Sequence, residues 1–250
     1  MFIYNPLEQF SVLPFFNLTI GAVDLSFTNS SLYCLLTLGS IALVWSLVLH
    51  KGGFLVPPSY QVVVEVIYRF LISLAHEQVG KRSKCYEAII MATFWYILTA
   101  NLLGLIPFGF ATTAQLVVAF GLSFSLFIGV TLIGVMTNKV NFLSLFLPSG
   151  APFELAPLLV VIELTSYVFR PISLGVRLFA NMTAGHSLLA IIAGFGWSIG
   201  TSGSVFAVFG LAPAMILLII FVLELAVAFL QSYVFVVLLG VYLKDAIELH

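Results

Sequence analysis

Apolar positions run along this chain in long blocks, not in the short alternations of a half-buried sheet. Leu32 to Leu49, LYCLLTLGSIALVWSLVL, holds 18 residues without a charge, enough to cross a bilayer core of ~30 Å with modest help from its flanks. After HKGGFLVPPS the texture changes. Gln61, Glu65, Arg69, Ser73, His76 and Gly80 recur every three or four residues among Val, Ile, Phe and Leu, which predicts a helix over 57–80 with one polar stripe, lying in the membrane interface. Packing of that helix on a partner subunit is the competing reading. Glu65 and Arg69, four apart, can pair along it. Two further spans are predicted over 88–108 and 110–137, parted at LIPFGF, where Pro107 and Gly109 stop the first.

The last hundred residues have different proportions. Apolar helix-forming sequence runs almost unbroken over 152–197 and again over 205–243, with SIGTSGS as a Gly/Ser turn between. At ~1.5 Å rise per residue the two arms are ~65 Å and ~55 Å long, about twice the core thickness. They are expected as a strongly tilted helical hairpin, because no polar loop interrupts either arm; the alternative is that Pro171 and the glycines break the first arm into two ordinary spans. No internal repeat supports an inverted-repeat transporter. The expected fold class is an all-α integral membrane protein, a single membrane domain over 1–250: a first span at 32–49, an interfacial amphipathic helix, two further spans, and the tilted hairpin.

Composition agrees. The chain is 62% hydrophobic and 8% charged, against roughly 25% charged in an average soluble domain. A net charge of -1 suggests neither a nucleic-acid partner nor an acidic-lipid anchor. Placement matters more: Lys51, Arg69, Lys81, Arg82 and Lys84, five of the nine basic residues, fall between the first and second spans. The positive-inside rule puts that segment on the cytoplasmic or matrix side and the N-terminus opposite, with Lys139 returning to the inner side. Cys34 and Cys85 have neither disulfide-framework nor metal-site spacing, and no metal or cofactor is expected. No Lys or Arg precedes Lys51, so neither a secretory signal nor a transit peptide is read. A chain this apolar is then expected to be made where it is inserted, by a bacterium or within an organelle.

Against this background the hairpin's ionisable side chains stand out: Glu154, Glu163, Arg170, Arg177 and His186 on the first arm, and Glu224 on the second, with Lys244, Asp245 and Glu248 at its end. An arginine at membrane depth costs at least ~2.5 to 3.5 kcal/mol. It needs a partner or a task. Residues seven apart differ by only ~20° in direction, so Glu163, Arg170 and Arg177 share a face, as do Glu224 and Gln231. His186 lies nine residues beyond Arg177, half a turn round and about 13 to 14 Å along a straight helix, which keeps a proton-active imidazole away from the fixed charge. Ser173, Gly175, Ala180, Ala184 and Gly185 allow another backbone to approach closely. Glu224, within IIFVLELAVAF, should be protonated or hydrated if unpaired. A glutamate on one arm and a histidine on the other are the elements of a proton relay. Gln231 can accept a hydrogen bond from Arg177 without cancelling its charge, and Asn181, one turn on, can orient the same group. A structural ion pair from Glu163 to Arg170 or Arg177, and a satisfied interior histidine at 186, are the plainer readings.

RPISLGVRLFANMTAGHSLL, followed by LELAVAFLQSYVFVVLLGVYLKDAIELH, resembles subunit a of the F-type ATP synthases, the membrane stator that faces the rotating c-ring. The resemblance extends from NPLEQF through PPSYQ and NLLGLIPF to the C-terminus. It implies that Arg177 is the essential arginine and Gln231 its accompanying glutamine. Bacterial relatives often carry Glu at the position of His186 and His at that of Glu224; the opposite pair here resembles mitochondrial and alphaproteobacterial members. The implied mechanism has protons entering through a half-channel lined by Glu224, His186 and Asp245, protonating a c-ring carboxylate, and leaving through a second half-channel at Glu163, with Arg177 preventing a short circuit. The implied partners are the c-ring, the peripheral stalk, other membrane-sector subunits, protons and the bilayer. The implied home is the inner mitochondrial membrane, with the N-terminus on the intermembrane-space side, or an alphaproteobacterial plasma membrane. No GxxxxGK[ST] loop is present, so nucleotide chemistry belongs elsewhere and the subunit is expected to be non-catalytic by itself. The rival functions are a secondary transporter whose Arg177 binds an anion, and a structural subunit whose buried charges fix helix register.

Overall fold

The computed structural model describes residues 7–20, 23–49, 57–106, 109–139, 142, 156–201 and 211–247. Six α-helices dominate them: α1 (Asn29–Leu49), α2 (Ser59–Val79), α3 (Glu87–Gly104), α4 (Leu116–Asn138), α5 (Ala156–Gly200) and α6 (Leu211–Ile247). All but α2 are long and apolar enough to cross a membrane. The chain is an all-α membrane protein. Lys51, Pro107, Glu154 and Glu248, all singled out from the sequence, lie outside the described residues.

Before α1 the chain forms short antiparallel ladders that the sequence pattern does not announce: β1 (Pro14–Phe16) with β4 (Phe27–Thr28), and β2 (Thr19–Ile20) with β3 (Val23–Asp24). α1 starts three residues earlier than the apolar run. Thr28 N–H donates to Ser31 Oγ at 2.9 Å and Ser31 N–H to Thr28 Oγ1 at 3.4 Å, a reciprocal side-chain cap that extends the helix into its polar flank.

α4 differs more from expectation, beginning at Leu116 instead of 110. Thr112–Ala114 form a 3-10 turn, fully buried, and Thr113 Oγ1 donates to Asn101 Oδ1 at 2.8 Å. Such side-chain bonds offer the backbone an alternative to the helical ladder. α5 is helical throughout its 45 residues with Pro171 inside it, and α6 runs through 37. Pro171 removes one ladder bond. The helix nevertheless continues, so Pro171 does not divide this arm into two spans.

The described chain forms two compact units, and α5 and α6 each contribute to both. One unit comprises Met1–Ile41, Tyr96–Gln115 and Leu178–Gln231. Inside it Ala111, Ala114 and Met182 make a small buried cluster with Phe10 packed against it. A Cβ added to Gly104 would lie 3.0 Å from that of Ala111, so the close approach of this turn to α3 requires glycine. Asn181 meets Gln231 and Gly196 meets Pro213, the antiparallel register of a hairpin.

The other unit comprises Ala42–Trp95, Leu116–Arg177 and Ser232–His250. Here α2 buries Val64, Leu71, Leu74, Ala75 and Val79, which share one face of the helix. Leu74, Ala75 and Gln78 converge with Ile90 of α3 and with Val236, Val237 and Gly240 of α6 around a small crevice. Part of α2 therefore packs within its own chain, while Val62, Val63 and Val66 remain exposed. Gly175 lets α5 approach α4, since a Cβ there would stand 2.8 Å from Ser123 Oγ. Asn138 Nδ2 donates to the Ala246 carbonyl at 2.8 Å, closing the end of α6.

Candidate functional site

In the first unit, α5 and α6 face each other through polar side chains set in an apolar surround. Asn181 Nδ2 donates to Gln231 Oε1 at 3.0 Å, and Gln231 is 2% exposed. Seven residues earlier on α6, the Glu224 side chain lies directly against Gly185 of α5. A Cβ on Gly185 would clash with Glu224 Oε1 and stand 2.8 Å from its Cδ. The glycine thus creates the space that the carboxyl group fills. Glu224 is 8% exposed. Neither of its oxygens, nor His186 Nε2 on the next residue of α5, has a hydrogen-bond partner among the described residues. Buried polar atoms are nearly always paired, and those that are not call for a reason such as a catalytic role. Among the described residues, then, nothing satisfies Nε2 as the plainer reading of an interior histidine would have it.

The surroundings of His186 come from far along the chain. Phe10, in a 3-10 turn over Glu8–Phe10, sets its ring edge-on to the imidazole, with centroids 6.4 Å apart and planes at 85°. The Phe10 carbonyl accepts from Gln115 Nε2 at 3.2 Å, and Thr183 Oγ1 on α5 donates to the Ala114 carbonyl at 3.4 Å. Sequence reading gives no signal for Phe10, because a single phenylalanine among 24 carries no periodicity of its own.

In the second unit the centre is Arg170. Its Nη1 donates to Asp245 Oδ2 at 2.9 Å, and its Nη2 lies 3.7 Å from Glu163 Oε1. The Tyr167 and Tyr242 rings flank the guanidinium, with centroids 5.5 and 5.2 Å from Cζ. Both the ion pairs and the ring faces hold it in place. The structural pairing foreseen for Glu163 is therefore made, with Arg170. Asp245, expected alongside Glu224 and His186, is instead paired here. α6 continues past Leu243 to Ile247, so Asp245 lies in its last turn.

Arg177, in the same unit, is exposed and has no hydrogen bond or ion pair among the described residues. The oxygen of Gln231, expected to receive Arg177, accepts from Asn181. Along α5, Ser173, Val176, Arg177, Ala180, Asn181, Ala184 and Leu188 are all exposed. This three- and four-residue spacing makes a single stripe with mostly small side chains, of the kind that admits another helix. The one fixed cation on it has no counter-charge among the described residues.

Comparison with known proteins gives a consistent result. Residues 31–244 match the family described as ATP synthase A chain. ATP synthase subunit a of Oenothera berteroana is 48% identical over 253 residues, covering 99% of this chain and 90% of that protein. The Marchantia polymorpha subunit a is 47% identical, covering 98% and 99%. That of Chondrus crispus is 41% identical, covering 99% and 98%.

Proposed function

Because the chain belongs to the ATP synthase A chain family, we propose that it is the proton-conducting stator subunit of the membrane sector, working against a ring of c subunits. The observation that carries this reading is Arg177: an exposed guanidinium on a membrane helix, in a stripe of small residues, with no counter-charge among the described residues. A partner surface bearing a carboxylate at membrane depth suits that stripe. The small side chains permit close approach, and the guanidinium stabilises an ionised carboxylate passing through the contact.

Protons reach the ring through a half-channel that uses His186 and Glu224. They leave by a second half-channel at Glu163, and the pairing of Asp245 with Arg170 supports placing Asp245 on this exit side. Arg170 keeps the two exit carboxylates together while its own charge stays fixed. Arg177 repels a proton that would pass directly from one half-channel to the other, so that flow requires rotation. Asn181 and Gln231 shape the surroundings of Arg177 through their mutual hydrogen bond. Lysine is a poor substitute for Arg177, since a compact ammonium lacks the planar fork and deprotonates when buried.

The subunit itself makes and breaks no nucleotide bond. Its partners are the c-ring, the peripheral stalk and the remaining membrane-sector subunits. This reading gives it the inner mitochondrial membrane as its home, with the basic segment between α1 and α3 facing the matrix and the N-terminus the intermembrane space. The long hairpin then lies strongly tilted, since arms of ~68 and ~56 Å exceed a core of ~30 Å.

The test is Arg177→Ala in the assembled complex, with copurification of the c-ring checked first. ATP synthesis should be lost while passive proton leak through the membrane sector persists or rises. Normal coupled synthesis would reduce Arg177 to a structural charge.

A further inference from the structure

We propose that Phe10 is a positioning residue for proton transfer at His186, so that the segment before α1 forms part of the proton inlet. The inference rests on the reading of His186 as an inlet group. It begins from what does not hold the imidazole. His186 Nε2 is buried without a hydrogen-bond partner among the described residues, and a histidine ring is ordinarily oriented through the bond its other nitrogen makes. No hydrogen bond to either ring nitrogen is present among the described residues. The directional contact that is present is the edge-on Phe10 ring, at 6.4 Å and 85°. Edge-to-face pairs prefer a restricted set of angles, so Phe10 limits rotation of the imidazole about its side-chain bonds.

A contact can orient its neighbour only if it is itself fixed, and Phe10 is fixed on three sides. Its side chain packs on Ala111, Ala114 and Met182. Its carbonyl is held by Gln115 Nε2 at 3.2 Å. On the chain just beyond it, the Ser11 carbonyl accepts from Asn29 Nδ2 at 3.0 Å, and Leu13 N–H donates to Asn29 Oδ1 at 3.2 Å. Asn29 is the first residue of α1, so the segment is tied to α1 at one end and to the 112–114 turn at the other. Met182, under Phe10, is one helical turn before His186 on α5. The same ring therefore covers the turn of α5 from which His186 projects, and it takes up neither ring nitrogen in a hydrogen bond. A proton relay loses rate steeply when its groups leave reacting geometry.

The experiment uses the complete ATP synthase in membrane vesicles, with rates expressed per assembled complex. Phe10→Leu and Phe10→Met keep an apolar side chain but remove the ring, and Phe10→Tyr restores it. ATP synthesis driven by an imposed proton gradient should fall about three- to tenfold in the first two, the size expected where one orienting aromatic contact is lost, and recover in Phe10→Tyr. In a His186→Ala background, Phe10→Leu should cause no further loss, a non-additivity that general loosening of the segment does not produce. Full activity of both ring-less variants, or an equal fold-loss with and without His186, overturns the proposal. Wild-type rates in His186→Ala alone overturn the assignment of His186 itself, a failure distinguishable from that of Phe10.

Discussion

Gly185→Ala puts a single methyl group where the Glu224 carboxyl lies. The new Cβ would clash with Oε1, far inside van der Waals contact, and stand 2.8 Å from Cδ and 3.2 Å from Cγ. Carbon atoms rest at ~3.5 to 4.0 Å, so Cδ must retreat by roughly 0.7 Å or more and the oxygen by considerably further. The backbone of α5 has little freedom to yield, being mid-helix, and the movement falls on the Glu224 side chain. A misplacement of ~1 Å in a reacting group can cost ~10²-fold. Proton-driven ATP synthesis should therefore fall about 10- to 100-fold, or ~1.4 to 2.8 kcal/mol in the barrier, while the complex still assembles. Gly194→Ala on the same helix meets nothing within 4 Å and serves as the control, with a gain of up to ~1 kcal/mol in helix propensity and unchanged flux. The assay is proton uptake and ATP synthesis in vesicles with matched amounts of assembled complex. Wild-type rates in Gly185→Ala would refute the placement of Glu224 against this glycine, or its part in proton transfer.

Two further substitutions probe the polar contacts directly. Arg170→Leu strips Asp245 and Glu163 of their shared cation and should destabilise the subunit by about 1.5 to 3 kcal/mol, the worth of a charged hydrogen bond, seen as a lower thermal midpoint of the purified complex in detergent; Asp245→Asn, which leaves Glu163 to balance Arg170, should cost less. An unchanged midpoint in both would deny the cluster any structural role. Asn181→Ala leaves the buried Gln231 oxygen without its donor and should cost about 1 to 3 kcal/mol, read in the same melting experiment, whereas Asn181→Gln should retain part of the bond.

Helix identity in this chain was legible from the sequence because membrane helices announce themselves by unbroken apolar length, and α1, α3, α5 and α6 lie close to where that length put them. The choice of partners was not. A seven-residue spacing puts Glu163, Arg170 and Arg177 on one face, but it does not say what lies opposite. Arg170 meets Asp245, 75 residues away, in the turn by which α6 outlasts its apolar run. The start of α4 was misplaced for the converse reason: Phe110 to Gln115 carries no charge to part it from the apolar run that follows, yet Thr113 is bonded to Asn101 and the backbone turns. The candidate groups Arg177, Glu163, His186 and Glu224 could be picked out as polar residues in the wrong solvent. Phe10 could not, since an aromatic among apolar neighbours violates no local rule and its partner is remote in sequence.

The Arg170 cluster also bears on how the subunit is made. At ~5 to 20 residues per second, Asp245 leaves the ribosome about 4 to 15 s after Arg170. Glu163 precedes Arg170 by seven residues on the same helix, close enough to bridge it at 3.7 Å. Until Asp245 is made, Glu163 is the carboxylate of this cluster that is on hand to match the Arg170 guanidinium. Asp245 completes the pairing only when the closing helix arrives. An early, local counter-ion followed by a late, distant one lets a charged helix wait in the bilayer for the rest of its own chain.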